Sequence, residues 1–291
     1  MSVKHPIISV TGSSGAGTTS VRRTFEQIFR REGIKAAFIE GDAFHRYDRD
    51  GMEEAMLRER KRNNFSFSHF GAAANLLEEL EAVFREYNEH GTGRSRHYVH
   101  DAEEVEIYGQ PLGTFTPWQD LPGGTEILFY EGLHGAVVTE TVNIARYADL
   151  KIGVVPVINL EWIQKIHRDR ETRGHSEGSI VETILGRMPD YVHFICPQFT
   201  QTDINFQRVP TVDTSNPFIA RWIPTPDESM VVIRFRNPRG IDFAYLVAMI
   251  HGSFMSRANS IVIPGGKLDL AMQLILTPMI MQLVEKRRRA I

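Results

Sequence analysis

The chain has 291 residues, of which 42% are hydrophobic and 24% charged, and this composition predicts a folded globular protein. Its formal net charge of −3 argues against nucleic acid as the main partner, because such domains are usually strongly basic. Arginines are nevertheless clustered locally, a pattern that suits small anionic ligands such as phosphates. The single cysteine, Cys196, excludes an internal disulfide. The apolar stretch 268–284 is interrupted by two glutamines and a proline, so we expect a cytoplasmic protein with no membrane partner.

Short apolar runs alternate with segments of helical spacing along the chain. Strands are predicted over 6–11, 35–40, 126–130, 150–157 and 230–235. Helices are predicted over 20–32, 159–173, 242–251 and 268–288, with 65–86 mostly helical and 97–113 a β-hairpin extension. Fully apolar strands alternating with helices indicate an α/β fold, a mixed and mostly parallel sheet with helices on both faces. No linker is evident, so a single domain is expected over 1–291.

The strongest motif follows the first predicted strand and opens the first predicted helix. Its residues are Gly12, Ser13, Ser14, Gly15, Ala16, Gly17, Thr18 and Thr19. Such a loop presents backbone amides to phosphate oxygens at a helix N-terminus, and Thr19 stands where a hydroxyl ligates magnesium. Thr18 occupies the usual lysine position, so the cation that neutralises the phosphates has to come from elsewhere. The alternative is a Gly/Ser-rich turn that binds nothing.

Two acids follow predicted strands, where ligands bind in open α/β sheets. Glu131 stands where an acid would hold magnesium directly or through water. Asp42 is positioned to accept the proton of an attacking hydroxyl, with His45 and Arg49 nearby to hold an anionic substrate. The ordinary alternatives are a helix cap or turn for Asp42, a turn acid for Glu131 and a packing histidine for His45.

The helix predicted over 159–173 carries a row of charged residues near one face: Lys165, Arg168, Asp169 and Arg173. A solvated helix with salt bridges is the commonest explanation of such a row. A basic helix can also close over phosphates. Lys165 is then a candidate for the missing loop lysine, Asp169 for binding magnesium or orienting the hydroxyl, and the two arginines for gripping substrate phosphate.

Together, the strings GSSGAGTTS, EGDAFHRYDR, FYEGLHG and IQKIHRDRETRGHS resemble the bacterial phosphoribulokinases, and the similarity extends over nearly the whole chain. The resemblance implies a magnesium- and ATP-dependent kinase that makes ribulose 1,5-bisphosphate from ribulose 5-phosphate in the Calvin cycle of carbon dioxide fixation. It implies that Asp42 is the catalytic base and that Lys165 and Asp169 act in catalysis. Glu131 matches the acid that follows the metal-binding strand.

The same resemblance assigns substrate binding or turnover to His45, Arg49, Arg168 and Arg173. It also implies a homo-octamer activated by NADH and inhibited by AMP, with an effector site at Arg31, Arg234 and Arg257. For these three the ordinary alternative is a surface arginine. A disulfide switch within the chain is excluded because Cys196 stands alone.

Two other functions stay open on the residues alone. One is a P-loop kinase for another small acceptor, such as uridine or pantothenate, although those kinases usually keep the loop lysine. The other is a nucleotide-binding protein without kinase activity.

Overall fold

The computed structural model describes residues 4–12, 18–155, 157–173 and 176–291, with the side chains of 18–20 and 171–173 outside the description. Within these ranges ten strands form two sheets. The strands are β1 (Ile7–Gly12), β2 (Ala36–Glu40), β3 (Arg94–Ser95), β4 (Gln119–Asp120), β5 (Ile127–Gly132), β6 (Leu150–Val155), β7 (Ile204–Pro210), β8 (Ser229–Phe235), β9 (Phe254–Arg257) and β10 (Ser260–Pro264).

The main sheet has eight strands in the order β2-β5-β1-β6-β7-β8-β10-β9. The first five pair in parallel, and β8, β10 and β9 then continue antiparallel. The expected fold class, a mixed and mostly parallel sheet with helices on both faces, is therefore confirmed. The antiparallel pair β3 and β4 forms the small second sheet.

Eight α-helices accompany the strands in the described part of the chain. They are α1 (Thr18–Glu32), α2 (Arg49–Lys61), α3 (Leu77–His90), α4 (Ala102–Tyr108), α5 (Ile158–Arg173), α6 (Glu177–Asp190), α7 (Phe243–Met249) and α8 (Leu268–Ala290). Gly33 ends α1 as predicted, with a φ of 65° that a residue with a Cβ rarely adopts.

Successive residues of the central strands point to opposite faces and build two cores. Ile8 and Val10 of β1 pack with α1, α7 and α8 on one face. Ile7 of the same strand packs with α3 and the segment 137–148 on the other. Burial on both faces explains why these strands are continuous apolar runs in the sequence.

Two local predictions are wrong. The segment 97–113 is not a plain hairpin: an isolated antiparallel bridge joins Tyr98 to Phe115, and the chain between them forms α4. Asp101 starts that helix because its carboxylate accepts the backbone N–H of Glu104 at 3.0 Å. Within 65–86, helix α3 begins only at Leu77, after an irregular stretch and a short 3₁₀ turn.

Helix α8 is long and apolar enough to span a membrane by length and composition alone. In the structure six of its residues are buried in the core against the sheet and α1: Ala271, Met272, Ile275, Leu276, Ile280 and Val284. It is therefore packed as a core helix in this fold.

Candidate active site

The site lies where the parallel strands end. Register pairs Glu40 of β2 with Glu131 of β5, and Gly12 of β1 with Val154 of β6. A Cβ on Gly132 would lie 2.6 Å from the Cα of Gly41, so both glycines are needed for the two strand ends to approach. This close approach brings the 3₁₀ turn that carries Asp42 beside the end of β5.

Asp42 and His45 form an ion pair within that turn. Asp42 Oδ1 lies 3.2 Å from His45 Nε2, and Asp42 Oδ2 lies 3.6 Å from His100 Nε2. Partial burial opposes ionisation of Asp42, but the charge and hydrogen bond of His45 outweigh it and hold the pKa of Asp42 below its ordinary value. The Asp42 side chain remains 40% exposed, so a substrate can reach a carboxylate that is ionised at neutral pH.

Two other buried histidines near this pair, His134 and His69, stay neutral. Burial lowers the pKa of His134 to about 4, although its ring lies 2.9 Å from the Phe70 carbonyl. Burial and the charge of His45 hold the pKa of His69 well below its ordinary value. Burial also lowers the pKa of His45, but Asp42 reverses that effect and raises it above the ordinary value. The buried histidine cluster thus concentrates its positive charge on His45.

Arg49 is the first residue of α2. It is held in place by the 98–115 excursion, which is the segment between the bridged residues Tyr98 and Phe115 that contains α4. Its backbone N–H donates to the Gly113 carbonyl at 2.9 Å, and its side chain hydrogen-bonds Tyr98. A Cβ on Gly113 would lie 2.8 Å from that of Arg49. The guanidinium is therefore positioned by Tyr98 and Gly113, which lie far from Arg49 in the sequence.

Arg96 was not predicted, yet it anchors the turn that carries Asp42. It donates to the carbonyls of Ala43 at 2.8 Å and His45 at 2.6 Å. Its guanidinium lies 3.6 Å from the centre of the Phe115 ring and 4.9 Å from that of Trp118. No local motif marks this arginine, because its partners come from distant segments.

Lys165, Asp169 and Arg168 form a second charged group on α5. Lys165 Nζ donates to one carboxylate oxygen of Asp169, and Arg168 Nε donates to the other at 3.2 Å. Burial lowers the pKa of Lys165, and the pairing with Asp169 offsets this only in part. Lys165 and Asp169 line a cavity of about 200 Å³ shared with α2, α6 and the segment 64–67. Helix α5 thus faces the element that begins at Arg49.

The remaining predicted phosphate and metal residues are only partly described. Residues 13–17 lie outside the described residues, as do the side chains of Thr18, Thr19 and Arg173. Gly12 ends β1, and α1 begins at Thr18, as a phosphate loop requires. Glu131 is half-buried at the end of β5, next to β1.

Glu131 and Asp169 are the two acids predicted for magnesium, and both have other interactions in the structure. Within the described ranges no cluster of three or more His, Cys, Asp or Glu side chains could hold a metal ion. Magnesium needs only one or two carboxylates when phosphates and water complete its shell, so the predicted magnesium ion does not require such a cluster. Asp169 already carries two cations, Lys165 and Arg168, in this conformation.

The three arginines predicted for effectors do not all lie together. Arg234 of β8 and Arg257 of β9 both pair in register with Ser260 of β10, and both are exposed. Arg31 instead donates from α1 to Gln273 and Thr277 of α8, both at 3.0 Å. Two of the three residues thus form one row near the edge of the sheet.

The fold and the site together define a class: an α/β kinase with a Gly/Ser-rich sequence between β1 and α1 and an acid beyond β2. The phosphoribulokinase / uridine kinase family matches residues 7–215, and the chain belongs to that family.

Similar proteins match over the full length. The chain is 71% identical to the phosphoribulokinase of Nitrobacter vulgaris, over 99% of both chains. It is 70% identical to that of Xanthobacter flavus, over 100% of both. The solved phosphoribulokinase from Rhodobacter spheroides superposes with a TM-score of 0.92 at 65% identity, covering 99% of this chain and 100% of that one.

Proposed function

We propose that this protein transfers the γ-phosphoryl group of ATP to the C1 hydroxyl of ribulose 5-phosphate, making ribulose 1,5-bisphosphate in the Calvin cycle. Full-length similarity to phosphoribulokinases supports the acceptor. The observation that carries the chemistry is the accessible Asp42 carboxylate, kept ionised by His45 at the strand ends.

Asp42 takes the proton of the C1 hydroxyl as that oxygen attacks phosphorus. A carboxylate with a depressed pKa is a weak base, which suits a loose transition state in which the hydroxyl loses its proton late. His45 and Arg49 supply fixed positive charge beside the attacking oxygen. Positioning and electrostatics then provide most of the acceleration.

The ATP phosphates rest on the amides of residues 12–19, and Lys165 supplies the cation that Thr18 does not. Thr19 and Glu131 are the proposed magnesium ligands, and bound magnesium neutralises charge on the β and γ phosphates. Asp169 joins them only if it releases Lys165 and Arg168. Release of Asp169 would free Lys165 for the nucleotide and leave Arg168, with Arg173, to grip the sugar phosphate.

A coupled kinase assay with a panel of acceptors tests this function. We expect ATP turnover with ribulose 5-phosphate and background turnover with uridine, pantothenate or no acceptor. Turnover with uridine or pantothenate alone would favour a different kinase of the same family. Nucleotide binding without turnover on any acceptor would favour a binding protein instead.

We also propose that the chain is a single cytoplasmic domain over 1–291 that assembles as a homo-octamer, with NADH as activator and AMP as inhibitor. Arg234 and Arg257 are the effector residues that the exposed sheet edge supports, with Arg31 as the third. Native mass spectrometry tests the assembly. Repeating the kinase assay with NADH and AMP, on wild type and Arg257→Ala, tests the effector site: loss of the NADH response with unchanged basal rate is expected.

A further inference from the structure

Asn75 is buried opposite His45 and faces it directly. Only 2% of the Asn75 surface is exposed. An isolated antiparallel bridge joins the two residues, and Leu76 N–H donates to the Phe44 carbonyl at 2.8 Å. The side-chain oxygen of Asn75 lies 2.9 Å from His45 Nδ1. The backbone therefore places the side-chain amide of Asn75 against the imidazole.

Both amide hydrogens of Asn75 are already committed. Its Nδ2 donates to the His69 carbonyl at 2.8 Å and to the Gly71 carbonyl at 2.7 Å. Flipping the amide would turn its oxygen towards two carbonyl oxygens, so Oδ1 must face His45. An oxygen can only accept a hydrogen bond, and His45 Nδ1 must therefore carry a proton.

The opposite nitrogen of His45 faces a carboxylate. With Nδ1 protonated, a neutral ring would aim the lone pair of Nε2 at Asp42 Oδ1, 3.2 Å away. A second proton on Nε2 turns this repulsion into a charge-assisted hydrogen bond. Asn75 thus disfavours the neutral ring with its proton on Nε2, which would otherwise satisfy Asp42 without a charge.

We propose that Asn75 is a positioning residue that holds His45 as the doubly protonated imidazolium, which keeps Asp42 ionised and aimed at the acceptor. This inference deepens the proposed function and rests on it only for its effect on turnover. The other groups facing His45 do not replace Asn75. The ring centre of His69 lies 3.9 Å from that of His45, and the ring of Tyr98 meets it edge-on with the centres 6.3 Å apart. Arg96 donates to the backbone carbonyl of His45. The neutral His134 and the His100 beside Asp42 complete the surroundings.

Solid-state ¹⁵N NMR of the sedimented whole protein with labelled histidine tests the proposal without any substrate. The His45 signals are assigned by their loss in His45→Gln. In wild type we expect both ring nitrogens protonated at pH 6.5, with a pKa above the ordinary value of about 6.5. A neutral ring protonated on Nε2 at that pH would overturn the proposal.

Two variants at position 75 separate loss of the acceptor from any other change at that position. Asn75→Leu removes the acceptor, so the pKa of His45 should fall by about one unit, tenfold in its protonation constant, with the neutral ring protonated on Nε2. Asn75→Asp keeps an oxygen facing Nδ1, and its other oxygen must be protonated to donate where Nδ2 did, towards the His69 or Gly71 carbonyl. The pKa of His45 should therefore stay near its wild-type value in Asn75→Asp. A His45 titration that is unchanged in Asn75→Leu, or that falls equally in both variants, would overturn the proposal. If Asn75→Leu does not fold, the wild-type spectrum decides.

The pH profile of kcat/KM for ribulose 5-phosphate adds a functional readout. Its alkaline limb should move to lower pH in Asn75→Leu and stay near the wild-type position in Asn75→Asp. A purely structural role would lower activity at every pH without moving the limb. Absent turnover of ribulose 5-phosphate alongside the expected NMR shifts would reject only the proposed acceptor.

Discussion

At the scale of single residues, Asp42 carries the proposed chemistry. Asp42→Asn should lower kcat by about 10²- to 10⁴-fold, the usual worth of a general base, with a small change in either KM. Steady-state kinetics with ATP and ribulose 5-phosphate measures this. Asp120→Asn is the matched control, because its side chain is 89% exposed on β4. A near-normal kcat in Asp42→Asn would show that another group accepts the proton.

The ion pair of Asp42 and His45 should also make stability depend on pH. The depressed pKa of Asp42 gives stability that is present above its unfolded value, about 3.9, and lost as pH falls through the folded value. The raised pKa of His45 gives stability that is present below about 6.5 and lost as pH rises through the folded value. Wild type should therefore exceed His45→Gln in stability most clearly between about pH 4 and 6.5.

Urea unfolding of both proteins across this range measures the difference. His90→Gln serves as control, because His90 is exposed at the end of α3. A stability difference between wild type and His45→Gln that stays constant from pH 4 to 9 would contradict the ion pair.

At the scale of elements, the excursion from 98 to 115 should control acceptor binding through Arg49. Gly113→Ala places a methyl group 2.8 Å from the Arg49 Cβ, at a residue whose φ is 79°. Displacing the guanidinium should raise KM for ribulose 5-phosphate several-fold and leave KM for ATP nearly unchanged, because the fixed positive charge beside the acceptor is lost.

Gly109→Ala separates this effect from backbone strain. Gly109 has a φ of 63° but nothing within 4 Å of a new Cβ. Both substitutions should lower the free energy of unfolding by about 1–2 kcal/mol, because alanine is strained in the left-handed backbone conformation. Only Gly113→Ala should also weaken acceptor binding. Equal rises in acceptor KM would mean that Arg49 is not the cause.

The sequence predicted the elements that carry a continuous apolar run or a clear amphipathic face. Burial on one or both faces requires apolar residues at regular positions, which the sequence shows directly. The elements predicted in this way are β1, β2, β5, β6, β8, α1, α5, α7 and α8. Helix α2 was missed because it buries only Met52 and Ala55 in a highly charged segment. Helix α6 was missed because its sequence contains two glycines and Pro189.

The candidate site was predictable only where its residues are close in sequence. Asp42, His45 and Arg49 fall in one string after a strand, and the strand end marks them. Asn75 and Arg96 complete the same site from thirty or more residues away and follow no motif. Their roles depend on which atoms the folded backbone brings together, and periodicity carries no information about that.

At the scale of the whole molecule, the main sheet connects the strand ends that carry the proposed active site to the core that α8 completes. Helix α8 packs on α1, which begins where the proposed phosphate loop ends, so core packing and the proposed nucleotide binding share one element. Arg31 adds polar contacts between the same two helices. Loss of α8 packing should therefore disturb ATP binding before it disturbs the Asp42 turn, which packs in the other core with α3.

Leu276→Ala tests whether α8 is a core helix of this fold. Leu276 is fully buried, whereas Leu270 on the same helix is 42% exposed. Leu276→Ala should lower the free energy of unfolding by about 2–5 kcal/mol. Leu270→Ala should change it by no more than about 0.5 kcal/mol. Urea denaturation of the two variants gives these values, and ATP titration should show weakened binding only for Leu276→Ala. Equal, small costs would mean that α8 packs elsewhere, for instance in a lipid bilayer, because a helix surrounded by lipid gains little from that particular leucine.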